Sequence, residues 1–117
     1  MMKNKVSIWT GHFSDNDKLK EYTKERYTDE ADMDSLFMNG YKIDFIDNQF
    51  QEVLFLNENV TRQTLIAPLS YSEFFIGKIN LKPGHNAVIA IYNFEYSGKI
   101  LRDGRSQFLG VYDYNDD

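Results

Sequence analysis

The chain has 117 residues, 42% of them hydrophobic and 15% aromatic, with 18 Asp+Glu against 13 Lys+Arg and no cysteine. That length suits one domain, residues 1–117, and the 9 Phe, 8 Tyr and single Trp exclude a disordered chain. The net charge of −5 argues against nucleic acid as a direct ligand, and the lack of Cys excludes a disulfide scaffold, a thiolate metal site and a cysteine nucleophile.

Lys5 to Thr10 alternates, with Val6, Ile8 and Thr10 on one side and Ser7 and Trp9 on the other, which predicts a strand. Ser14-Asp15-Asn16-Asp17 has capping-box spacing, so a surface helix is expected from there to about Tyr27, with Leu19, Tyr22 and Tyr27 inward. Asp32 to Asn39 reads as a second short helix, with Met33, Leu36 and Phe37 on one face and Asn39-Gly40 as its left-handed stop. Between Ile43 and Leu56 helical and strand spacings compete; a turn or short helical piece followed by a strand from about Glu52 is expected. Thr64 to Leu69 reads as extended. Ser70 to Glu73 repeats the capping spacing and predicts a helix over Ser72 to Leu81, with Phe75, Ile76 and Ile79 inward and Pro83-Gly84 as its stop.

Ala87 to Tyr92 is apolar on both alternating faces, the mark of a central strand covered on both sides, and is expected to continue through Tyr96. After turn signals at Ser97-Gly98 and Arg102 to Arg105, a last strand over Gln107 to Tyr114 should place Phe108, Gly110, Tyr112 and Tyr114 on one face. The expected architecture is α+β: a single domain with a mainly antiparallel sheet and about three helices packed on it. No apolar run nears the ~20 residues of a bilayer span, and the N-terminus lacks the ~7–15-residue apolar core of a signal peptide. The expected compartment is the cytoplasm, with no membrane partner, and the Asn59-Val60-Thr61 sequon reads as accidental.

Catalytic signals are sparse. His12 and His85 each adjoin a glycine in an expected loop and belong to no ligand spacing, so surface or packing roles are preferred over a general base. The glycines form no phosphate-binding loop. Ser70, Ser72 and Glu73 are explained by a helix start, and Asp113, Asp116 and Asp117 by a solvated tail. No cofactor, metal site or catalytic residue is expected.

Charge placement is more informative. Asp29, Glu30, Asp32, Asp34, Asp44, Asp47, Glu52 and Glu58 face Lys42 alone, a net −7 over 30 residues, while the other 87 carry 10 acids and 12 bases. Such a segment reads either as a solvated face or as a surface aimed at a basic partner, where charge speeds encounter more than it adds affinity. Interleaved Tyr27, Met33, Phe37, Met38 and Tyr41 are candidate anchors for that surface, or core.

Val6-Ser-Ile-Trp-Thr-Gly-His-Phe13 resembles the V-S-I-W-x-G-x-F opening of the immunity protein 22 family. The acidic loop after Glu25-Arg26-Tyr27-Thr28, the Ile43-Asp44-Phe45 to Phe50 stretch, Ser70-Tyr71-Ser72-Glu73-Phe74 and Ala90-Ile-Tyr-Asn-Phe-Glu-Tyr96 resemble its later blocks in order. His12 departs from the pattern, where a polar amide is more usual. The resemblance implies a bacterial α+β protein, without catalysis or cofactor, that protects its producer by binding a polymorphic or contact-dependent toxin. Many such toxins are nucleases with basic clefts, which an acidic face would fit. In this family Trp9 reads as a fold marker.

The leading expectation is therefore a toxin-binding protein that uses Asp29, Glu30, Asp32, Asp34, Tyr41, Asp44, Asp47, Glu52 and Glu58 against a basic protein toxin. Two alternatives stand beside it. One is a small-molecule-binding domain or small enzyme with a pocket lined by Tyr92, Tyr96, Tyr112 and His85. The other is a module that self-associates through an unpaired edge strand.

Overall fold

A computed structural model describes residues 4–27, 33–44 and 46–115. The alternation at the N-terminus forms β1 (Lys5–Gly11), an inner strand of a four-stranded antiparallel sheet. The other strands are β4 (Gln51–Phe55), β5 (Ala87–Tyr92) and β6 (Ser106–Asp113), in the order β4-β5-β1-β6. Val6 lies opposite Tyr92 and Gly11 opposite Ala87; on the other side of β1, Lys5 lies opposite Asp113 and Gly11 opposite Ser106. Every residue of β5 is buried, as its unbroken apolar run predicts.

Alternation along the strands feeds two cores. One face carries Trp9, Ile89 and Ile91 beneath α1 (Asn16–Thr23) and α2 (Leu36–Tyr41). The opposite face carries Val6, Ile8, Val88 and Ala90 beneath α3 (Arg62–Ile66) and the turns that follow it. Trp9 centres the first core: its ring meets Phe37 at 4.9 Å, edge to face, with Phe108, Tyr96 and Tyr41 at 5.2, 5.5 and 5.7 Å. Such pairs contribute roughly 0.5–1.5 kcal/mol each beyond area burial, so Trp9 ties α2, the chain after β5 and β6 to one strand.

The helix boundaries depart from the sequence expectation for identifiable reasons. Asp15, not Ser14, caps α1 by accepting from the Lys18 N–H, and the helix stops at Thr23 because Arg26–Tyr27 (β2) pairs with Met33–Asp34 (β3). Ser35 caps α2, which runs through Gly40 and closes at Lys42, φ +55°. Gly40 is needed for close approach and does not end the helix: a Cβ there would lie 2.3 Å from Asp103 Oδ2.

Thr64 to Leu69 is not extended. Thr61 and Thr64 form a reciprocal capping box that starts α3 at Arg62, and Leu65 and Ile66 are buried. Ser72 to Leu81 is not one helix but two 3₁₀ turns, Ser72–Phe74 and Ile76–Lys78. Their cap is absent because the Ser70 hydroxyl bonds Glu52 instead. Phe75 and Ile79 still reach the core, while Ile76 is half-buried. The turn-then-strand reading holds at Asn48–Phe50 and β4.

β5 does not continue past Tyr92. Asn93 turns the backbone at φ +57°, and the Ser7 hydroxyl donates to the Phe94 carbonyl and accepts from the Tyr96 N–H, which carries Tyr96 into the Trp9 core. Nor do Phe108, Gly110, Tyr112 and Tyr114 share a face. The register shifts between Ile8 and Trp9, so Trp9 pairs with Phe108 while Ile8 pairs with Gly110. This bulge sends Phe108 to the Trp9 core and Leu109, Tyr112 and Tyr114 to the other.

Candidate functional site

Of the sequence-expected acids, Asp34, Asp44, Asp47, Glu52 and Glu58 lie among the described residues. Asp29, Glu30 and Asp32 lie outside the described residues. Asp34 is committed locally: its Oδ1 accepts from Arg26 Nε at 2.9 Å and its Oδ2 from Asn39 Nδ2 at 3.1 Å. Those bonds hold its carboxyl below the usual carboxylate range. Tyr41 is 1% exposed, buried against Trp9, and presents no surface to a partner. Asp44 and Asp47 are exposed, Asp47 also accepting from the Gln49 N–H. Glu58 is exposed but sits past the far end of β4, where Leu56 donates to the Asn86 carbonyl.

Glu52 has a positioning task. Its Oε1 accepts from the Ser70 N–H at 2.9 Å and its Oε2 from the Ser70 hydroxyl at 2.5 Å, while the Tyr92 hydroxyl donates to the Ser70 carbonyl at 2.6 Å. All three polar groups of Ser70 are thus tied to the sheet. Burial first, and then the Glu52 charge, push the Tyr92 phenol well above its usual range, so it stays a donor. The tie sets up its neighbour: Tyr71 takes φ +60°, a conformation bulky residues rarely adopt, and its ring stacks on Tyr114 at 4.9 Å.

A notch of about 220 Å³ opens at this place, lined by Phe50, Glu52, Tyr71, Tyr92 and Tyr114 among others. Phe50, Tyr71 and Phe74 are about two-fifths exposed, unusual for rings of this size. Of the expected anchors, Phe37, Met38 and Tyr41 are core; Tyr27 and Met33 are exposed on the small β2-β3 ribbon. Phe50 and Tyr71 were not anticipated as anchors. The signal the sequence offers for Tyr71 is its place between two serines whose spacing also fits a helix cap.

The four residues of the alternative pocket are not brought together. Tyr92 lines the notch just described. Tyr96 lines a cleft beside Asp44 and bonds the Tyr41 and Ile100 carbonyls. His85 lies at the opposite end of the sheet, 2.8 Å from Thr10 Oγ1, and Tyr112 packs on Phe75. The Ser72 hydroxyl donates to the Ala67 carbonyl, which leaves no Ser70–Ser72–Glu73 constellation. Among the described residues no group of three or more His, Asp and Glu is placed to hold a metal ion. No helix there is long and apolar enough to cross a membrane.

The model of the family described as Immunity protein 22 matches residues 6–115. The chain belongs to the Immunity protein 22 family. No curated protein and no solved structure matches it. Membership in Immunity protein 22 gives the chain a toxin-immunity role in general terms and points away from enzymatic work. It also places the Trp9 core, the Ser70 tie and the Tyr71 notch inside the matched span.

Proposed function

We propose that this member of Immunity protein 22 binds and neutralises a cognate protein toxin with the end of the sheet where β4 begins and β5 ends. The observation that carries this reading is the notch at Tyr71. Exposed Phe50 and Tyr71 offer rigid aromatic anchors, and Glu52 holds the segment that bears one of them. Asp44 and Asp47 stand exposed just before it in the chain, in the segment of net −7 that also holds Asp29, Glu30 and Asp32. A basic toxin surface fits this combination, and a nuclease, whose cleft must attract phosphate, is the class whose charge it suits best. Acting by binding alone, the protein needs no cofactor.

The test first sequences the coding region upstream to obtain the cognate toxin domain, and then measures binding to it. Reversing Asp29, Glu30, Asp44 and Asp47 to Lys spares Asp34 and Glu52, which have structural partners. The association rate at low salt should fall about tenfold or more and lose most of its salt dependence. Tyr71→Ala should raise the dissociation rate by a comparable factor, as loss of an anchor worth about 2 kcal/mol requires. Unchanged association and dissociation in both variants would refute this surface.

A further inference from the structure

At the opposite end of the sheet, where β1 gives way to Phe13 and β5 begins, two clefts of about 550 and 320 Å³ adjoin and share His12 and His85 in their walls. Arg62 and Lys82 line the larger, Arg102 and Arg105 the smaller. Among the described residues no Asp or Glu lines either cleft, although acids outnumber bases 18 to 13 in the chain. Four cations gathered at one place repel one another, and an anion relieves that repulsion.

Local hydrogen bonding explains how the charges are kept uncompensated. Asp103 sits between the two arginines in sequence, yet its carboxylate turns inward. One oxygen accepts from Tyr22, and the other accepts the Arg105 and Ser106 N–H groups at 3.0 Å. Arg105 lies over the Tyr22 ring, its Cζ 5.6 Å from the centroid, so the guanidinium is parked beside the smaller cleft. Arg62 is steered by the Gly77 and Ile79 carbonyls.

The imidazoles are fixed as well. His12 Nδ1 lies 2.8 Å from the Gly84 carbonyl, which can only accept, so that nitrogen carries the proton. His85 is held by Thr10, and the Asn86 side chain clamps both the N–H and the carbonyl of Phe13 at 2.9 Å. Burial first, then the charges of His12 and Lys82, hold the His85 imidazole below its ordinary range.

We propose that the two clefts form one binding site for a small phosphate-bearing ligand with two linked phosphoryl groups. Arg102 and Arg105 take one group, Arg62 and Lys82 the other, and His12 and His85 stand between. Guanidinium forks match phosphoryl oxygens bidentately, and the larger cleft alone has the volume of a typical small-molecule site of about 300–1,000 Å³. The proposal is independent of the toxin reading, because its residues lie at the other end of the sheet from Phe50 and Tyr71.

NMR titration of the full chain with pyrophosphate, at constant ionic strength and in phosphate-free buffer, tests it. Saturable shifts should concentrate at His12, His85, Lys82 to Asn86 and Arg102 to Gln107. Citrate, similar in charge but built of carboxylates, should bind about tenfold or more weaker. The Arg102→Gln/Lys82→Gln double variant alters two exposed side chains. It should keep the dispersed spectrum of the folded protein and its toxin binding, and weaken pyrophosphate about tenfold or more, as loss of charge-assisted bonds demands. Diffuse or non-saturable shifts, citrate binding as well as pyrophosphate, or a double variant that titrates like the parent would each overturn the proposal.

Discussion

The turn that presents Arg102 and Arg105 rests on a chain of buried hydroxyls, and removing its middle member is the sharpest test of the packing described above. Tyr22, Tyr41 and Ser106 are 1%, 1% and 6% exposed. Tyr22 donates its single proton to Asp103, a carboxylate that can only accept, and the single Ser106 proton goes across the short 2.7 Å contact to Tyr22 in preference to the 3.4 Å contact with Asp103 Oδ1. Ser106 Oγ then accepts from Tyr41 at 2.9 Å. The proton order is Tyr41 to Ser106 to Tyr22 to Asp103. Burial raises both phenols above their usual range and keeps the order intact at neutral pH.

Ser106→Ala removes two hydrogen bonds, about 1 kcal/mol each, and leaves the Tyr41 hydroxyl buried without a partner at a further cost of about 1–3 kcal/mol. Tyr41→Phe alone should cost about 1 kcal/mol, because Ser106 keeps its other partners. The double variant loses the same two bonds but orphans nothing, so it should be no less stable than Ser106→Ala alone. Urea unfolding of the four proteins measures this, supported by melting points that move about 4 °C per kcal/mol. Additivity of the two single costs to within about 0.5 kcal/mol would refute the hydroxyl chain.

Two further outcomes follow from geometry at other places. His85 has a folded-state pKa below its unfolded value, so the unfolded chain binds more protons as pH falls. Its contribution is full above about pH 6.5 and is lost as pH drops through the lower folded value, a loss that His85→Gln should flatten in urea melts from pH 7.5 to 5 without phosphate; an unchanged slope would contradict the assignment. Gly110 holds φ +154° at the bulge, and a Cβ there would meet the Tyr112 hydroxyl oxygen at 3.3 Å and the ring carbon that bears it at 3.4 Å. Gly110→Ala should therefore cost about 1–3 kcal/mol, read as an earlier thermal midpoint.

Elements with a strong period were legible from residues alone. β1 carries an alternation and β5 an unbroken apolar run, and that alone places both as strands of the sheet. The short elements were not legible, because their state is decided by partners far along the chain. Arg62–Ile66 is helical since Leu65 and Ile66 must both reach the sheet from a five-residue segment, which extended backbone would point to opposite sides. Ser70 resembles a cap by spacing, but a glutamate 18 residues earlier takes its hydroxyl. The bulge in β6 moves the faces of a strand whose alternation looked regular, and only its pairing with β1 shows where.

The two charged features of the molecule differ in legibility for the same reason. The acids cluster within 30 consecutive residues, so their excess is visible as composition, while the local commitment of Asp34 to Arg26 and of Glu52 to Ser70 is not. The six basic and imidazole side chains of the opposite end stand at positions 12, 62, 82, 85, 102 and 105, with no run among them. What collects them is antiparallel topology: β1 ends, β5 begins and β6 begins at one edge of the sheet, with Gly11 opposite both Ala87 and Ser106. A charge run shows itself in the sequence, and a dispersed set shows itself only in the fold. Asp103 and Asn86 hold the basic end in place by hydrogen bonds that no neighbour-by-neighbour reading contains.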